Sequence, residues 1–150
     1  MLKKLYKINK TKEIYGVPLT SSPAAADTIY QHFEDTGRDI SYYDYIVTGD
    51  LGSVGASILI DLLKEKNLDI TSNYSDCGMM IYDDMDQNTK AGGSGCGCSG
   101  SVFCGYYYKQ LINKNLKKIL FVPTGALMST TTAQQGDPIM GVAHAVAIEI

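Results

Sequence analysis

The chain has 150 residues and a formal charge of −3, with 45% hydrophobic and 19% charged residues. This length suffices for one domain with a real core, and the acidic balance argues against a nucleic-acid partner, which leaves a basic footprint. No apolar run approaches the ~18–20 residues of a membrane span, and no apolar stretch of a secretory signal follows the basic N-terminus.

Lys3, Lys4, Lys7, Lys10 and Lys12 read most simply as a solvated terminus. Ser22-Pro23 reads as a helix start, with Ala26, Ile29, Tyr30 and Phe33 at helical spacing and Gly37 as the stop. His32 lies off that apolar stripe, so a solvent-facing role is expected. Tyr45–Thr48 is a buried-strand pattern that stops at Gly49-Asp50-Leu51-Gly52. Ser57–Lys66 then carries Ile58, Leu59, Leu62 and Leu63 on one helical face. The glycines at 49, 52 and 55 lack the spacing of a dinucleotide fingerprint, and no Gly-Lys-Ser/Thr follows for a phosphate loop. Asp50 either orients a ligand or caps the helix.

Residues 74–82 read as a second strand with Cys77 in the core. In Asp83–Asn88, oxygen-bearing side chains recur as in a calcium loop. Thr89 and Gly95 stand where that loop requires glycine and glutamate, so a solvated acidic loop is expected. Ala91–Ser101 holds five glycines and two cysteines. Ser99 or Ser101 is the expected cap of the helix that follows. The stretch is either a backbone-built anion site at a helix start or a crossing too tight for side chains. Cys77, Cys96, Cys98 and Cys104 do not suggest a disulfide scaffold. Cys96 and Cys98 are one residue apart, unlike zinc pairs, and His32 and His144 are remote, so no metal is expected.

Val102, Phe103, Tyr106, Tyr107 and Leu111 have helical spacing. Ile119–Val122 reads as a strand ending at Pro123-Thr124-Gly125, and Val142–Ile150 as the last strand, enclosing His144. Residues 126–141 read as a hairpin-like connection, which makes the final two strands antiparallel neighbours. The order implies an α/β fold: a mostly parallel mixed sheet, an antiparallel edge strand, and helices on both faces.

Four long segments carry a resemblance in the right order. They are Pro23–Ile29, Ile46–Gly52, Ala91–Ser99 and Leu120–Ser129. Together they resemble the stage V sporulation protein AD family of the thiolase-like superfamily, found in endospore-forming bacteria. The resemblance covers residues 23–150 as a C-terminal thiolase-like half-domain and leaves 1–22 as an unmatched N-terminal segment. It implies a fold of two similar α/β halves in five layers, of which this chain covers the second without its first strand. A fragment or split gene product is therefore expected, with exposed helices that suggest a homodimer or a separate N-terminal half.

By this resemblance the protein binds dipicolinic acid, alone or with calcium. It works with membrane proteins of the spore dipicolinate channel and is cytoplasmic or peripheral at the forespore inner membrane. The superfamily's active-site geometry carries over to Gly49, Asp50, Gly95, Cys96 and Gly97 as ligand-binding candidates, with no cofactor. Condensing enzymes of the superfamily place histidine, and then asparagine or histidine, where Gly49 and Cys96 fall here. Residues 124–128 lack the cysteine of thiolases proper. No catalytic residue is expected, so the protein is read as a binding protein. The alternatives are an acyl-transfer subunit completed by another chain, which predicts thioester reactivity, and a scaffold remnant that ignores dipicolinate.

Overall fold

In a computed structural model, residues 16–82, 84–87, 97–127, 129–135 and 140–150 are described. Consecutive buried apolar residues, Ile46–Val47 and Ile119–Leu120, build the centre. Strand β1 (Tyr45–Thr48) pairs in parallel with β2 (Tyr74–Asp76) on one side and β3 (Lys118–Val122) on the other. The antiparallel edge strand β6 (Val146–Glu149) adds to β3, giving the order β2-β1-β3-β6. This is the expected α/β arrangement of a mostly parallel sheet with one antiparallel edge.

The pleat sends alternate residues to two separate apolar clusters. Ile46, Leu120 and Val122 pack against helices α1 (Gly16–Thr36) and α2 (Gly52–Glu65), through Ala25, Ile29, Phe33, Leu59 and Leu63. Val47 and Ile119 face the other way, onto Cys77, Cys98, Val102, Tyr107 and Leu111. Helices thus cover both faces. Where α1 crosses α2 the residues are small, and the Ser22 hydroxyl donates to the Gly55 carbonyl at 2.9 Å.

Local outcomes differ from the sequence pattern at several points. Helix α1 begins at Gly16, so Pro23 lies inside it rather than at its start. Proline removes one N–H donor, yet Ser21 and Ser22 upstream are buried, so packing carries the helix past that break. Only Tyr74–Asp76 of the 74–82 stretch is a strand. Asp76 accepts from the Gly78 and Met79 amides and turns Cys77–Ile81 into helix α3. Of the acidic stretch, Asp84–Gln87 forms the single turn α4, while Asp83 and Asn88 lie outside the described residues.

A further difference concerns residues 98–112. Helix α5 (Cys98–Val102) runs through a π-helical turn (Phe103–Tyr107) into α6 (Tyr108–Ile112). The buried positions are Cys98, Val102, Tyr107 and Leu111, a spacing of four, five and four. A regular α-helix would rotate Tyr107 off that face. The π-turn absorbs the extra residue and keeps Tyr107 in the core. Tyr106 and Tyr108 consequently point outward.

After β3 the chain forms β4 (Thr124–Leu127), α7 (Thr130–Gln135) and β5 (Met140–Ala143), with β4 and β5 an antiparallel pair against α1. The single last strand expected over 142–150 is therefore two strands, β5 and β6, with His144 and Ala145 between them. The expected antiparallel pairing of the last two core strands, β3 and β6, is observed. Among the described residues no helix is long and apolar enough to cross a membrane.

Candidate functional site

The C-terminal ends of parallel strands, with helix starts beside them, are where open α/β sheets bind ligands. Here β1 ends at Thr48 and delivers Gly49 and Asp50, β2 ends at Asp76, and β3 ends at Val122 before Pro123. Helix α5 begins beside them, with Gly97 at its N-cap position.

Gly49 is the tightest point. A Cβ there would stand 3.1 Å from Pro123 Cα, 3.2 Å from Thr124 N and 3.2 Å from Ser99 Cβ. Two of those atoms are backbone and cannot swing aside, so the close approach favours glycine here. The tight crossing therefore lies at Gly49, which meets the glycine-rich stretch at Ser99. Among the described residues, a Cβ added at Gly97 or Gly100 would meet nothing within 4 Å, so crowding by them does not hold those positions to glycine. Gly95 and Cys96 lie outside the described residues. Ser99 and Ser101 lie inside the helix rather than capping it, because the helix already begins at Cys98.

Asp50 is half-buried at the turn and is not the cap of α2. That work falls to Asp76, which the sequence pattern conceals inside an apolar run. Asp76 is 1% exposed. Its carboxylate accepts from Leu51 N at 2.9 Å, Gly52 N at 3.0 Å and Thr48 Oγ1 at 2.6 Å, besides Gly78 N and Met79 N. Burial pushes its pKa above the ordinary carboxylate value, while the donated hydrogen bonds from Thr48 and the amides pull it back. Since Thr48 gives its proton to Asp76, the Tyr74 hydroxyl, 2.6 Å away, donates to Thr48 in turn. Burial also raises the Tyr74 pKa, with the Asp76 charge adding to it.

The thiols at this end are poor nucleophiles. Cys77 is fully buried, and desolvation, with the Asp76 charge behind it, pushes its pKa up to about 12. Cys98 is buried in the same apolar cluster. His32 is far from this edge: its Nε2 lies 2.8 Å from Tyr43 Oη, beside Arg38 and next to the entry of β1. His144, which the sequence pattern places inside the last strand, lies between β5 and β6. Its backbone N–H donates to the Pro123 carbonyl at 3.3 Å, which places it, exposed, at the site edge. Its one signal in the sequence is the run of alanines that interrupts strand alternation around it. Among the described residues no group of three or more His, Cys, Asp or Glu is placed to hold a metal ion.

The fold and its edge define a class: an α/β protein whose candidate site lies among backbone turns and small side chains at the ends of parallel strands. The family model of stage V sporulation protein AD matches residues 11–149. The stage V sporulation protein AD of Bacillus subtilis (strain 168) is 47% identical over 128 residues, which is 85% of this chain and 38% of that protein. The chain belongs to the stage V sporulation protein AD family, and spans well under half the length of that curated relative.

Proposed function

We propose that this chain is the part of a sporulation protein that binds dipicolinic acid, alone or as its calcium complex, for uptake into the forespore. It would act with membrane proteins of the spore dipicolinate channel at the forespore inner membrane. The observation that carries the reading is the packing of Gly49 against Pro123, Thr124 and Ser99. Among the described residues, the edge it leaves is lined by turns and has no reactive side chain at its centre. A flat ring with two carboxylates suits convergent backbone donors and small walls. Ligand contacts are assigned to Gly49, Asp50, Gly95, Cys96 and Gly97. Asp50 takes part through calcium, because its own charge repels a dicarboxylate.

A binding role rather than acyl transfer is supported by the same chemistry. Glycine at 49 offers no imidazole, and His32 is engaged with Tyr43 away from the edge. The neighbouring Cys77 thiol is protonated and buried. Calorimetric titration with dipicolinate, with and without calcium, tests the proposal, with benzoate as the one-carboxylate control. Saturable heat with dipicolinate alone among the acids supports it. Absence of binding by the folded chain, or thioester turnover once a complementary chain is supplied, contradicts it.

A further inference from the structure

Helix α2 has no side-chain cap of its own: the residue at its N-cap position is Leu51. Its first amides are nevertheless satisfied, by a carboxylate 24 and 25 residues further along the chain. The same carboxylate satisfies the first amides of α3. Gly52, at φ +66°, sits in the left-handed region and adds its amide to that of Leu51 at Asp76. The free amides at a helix start, with the helix dipole behind them, make a ready seat for an anion. At this sheet edge, one internal anion takes the seat at the start of α2 and also accepts from the first amides of α3.

We infer that Asp76 is the positioning residue of the candidate site, an internal anion that fixes the Thr48–Gly52 loop and closes the starts of α2 and α3 to ligands. The Tyr74–Thr48 hydroxyl chain orients it from behind, so its Oδ2 has two donors and its Oδ1 three. An anionic ligand at this edge is thereby directed away from α2 and α3, toward the Pro123–Thr124 turn and the helix that begins at Cys98. Asp76 plays this part whichever anion the site takes.

Chemical rescue tests it in the full chain. Asp76→Gly removes the carboxylate and leaves a space of its size. The melting temperature should fall by about 5–10 °C. Sodium formate should restore much of that loss saturably, and should not move the wild type beyond matched sodium chloride. The Leu51 and Gly52 amide resonances should return toward wild-type positions as formate is added. Asp76→Asn serves where the glycine variant does not fold. Its amide nitrogen replaces one acceptor, and exchange at Leu51 and Gly52 should quicken at least tenfold relative to Val47 and Leu120. Formate acting equally on both proteins, or wild-type protection at Leu51 and Gly52 in Asp76→Asn, overturns the inference.

Discussion

Pro123 Cα lies 3.1 Å from the place where a Cβ on Gly49 would stand. The turn after β1 and the turn after β3 are therefore in backbone contact, and the candidate site is framed by that contact. Gly49→Ala should destabilise the fold by about 1–3 kcal/mol, the range for overpacking a tight site. Gly105→Ala is the control. Gly105 is exposed and, among the described residues, has nothing within 4 Å of an added Cβ. That substitution should be neutral or stabilising by up to about 1 kcal/mol, since alanine is the better helix residue. Urea midpoints of the two variants check both signs.

Adjacent serines in α1 should respond in opposite directions. Ser21 Oγ is buried and has no hydrogen-bond partner among the described residues, whereas Ser22 Oγ donates to the Gly55 carbonyl. Ser21→Ala removes an unsatisfied polar atom and should raise stability by about 0.5–1 kcal/mol. Ser22→Ala deletes the bond that joins α1 to α2 and should lower it by about 1 kcal/mol. Thermal denaturation of the pair decides it.

The cluster at the entry of β1 gives the fold a pH dependence. Arg38 donates to Tyr43 Oη at 2.5 Å, so the Tyr43 proton is directed to His32 Nε2, which accepts as neutral imidazole. Burial, then the Arg38 charge, lowers the His32 pKa below its ordinary 6.5, and Asp35 opposes them only in part. The unfolded chain therefore takes up the proton first. This contribution is complete above 6.5 and is lost as the pH falls through that value toward the folded pKa. Denaturation midpoints between about pH 8 and about pH 5 should fall more steeply for wild type than for His32→Gln.

The thiols should separate by accessibility. Cys104 is exposed, whereas Cys77 and Cys98 are buried. With its pKa near 12, Cys77 holds on the order of one thiolate in 100,000 at neutral pH. Brief alkylation of the native protein, read by peptide mass spectrometry, should modify Cys104. Cys77 and Cys98 should react only after unfolding.

Much of the architecture is legible in the sequence because it depends on local pattern. The apolar run at 45–48, the stripe through Leu59 and Leu63, and the strand at 119–122 each specify an element and a buried face. What escapes the pattern depends on tertiary contacts. Asp76 reads as one residue of a strand because its amide partners at Leu51 and Gly52 are remote in sequence. Tyr106 has the spacing of a core residue, but the π-turn at 103–107 shifts the face to Tyr107. The pattern puts His144 within a strand, and only the bond to Pro123 brings it to the site edge. Of the ligand candidates, the structure brings Gly49, Asp50 and Gly97 to the same end of the sheet.

The most direct test of dipicolinate binding is an amide-resonance titration of the isotopically labelled chain with dipicolinate, with and without calcium. Saturable shifts are expected, centred on Gly49, Asp50, Gly97, Thr124 and His144, with little change at Lys114, Lys117 or Ile150 at the opposite end of the sheet. Shifts centred on that opposite end, or none at saturating dipicolinate in a folded sample, would contradict it.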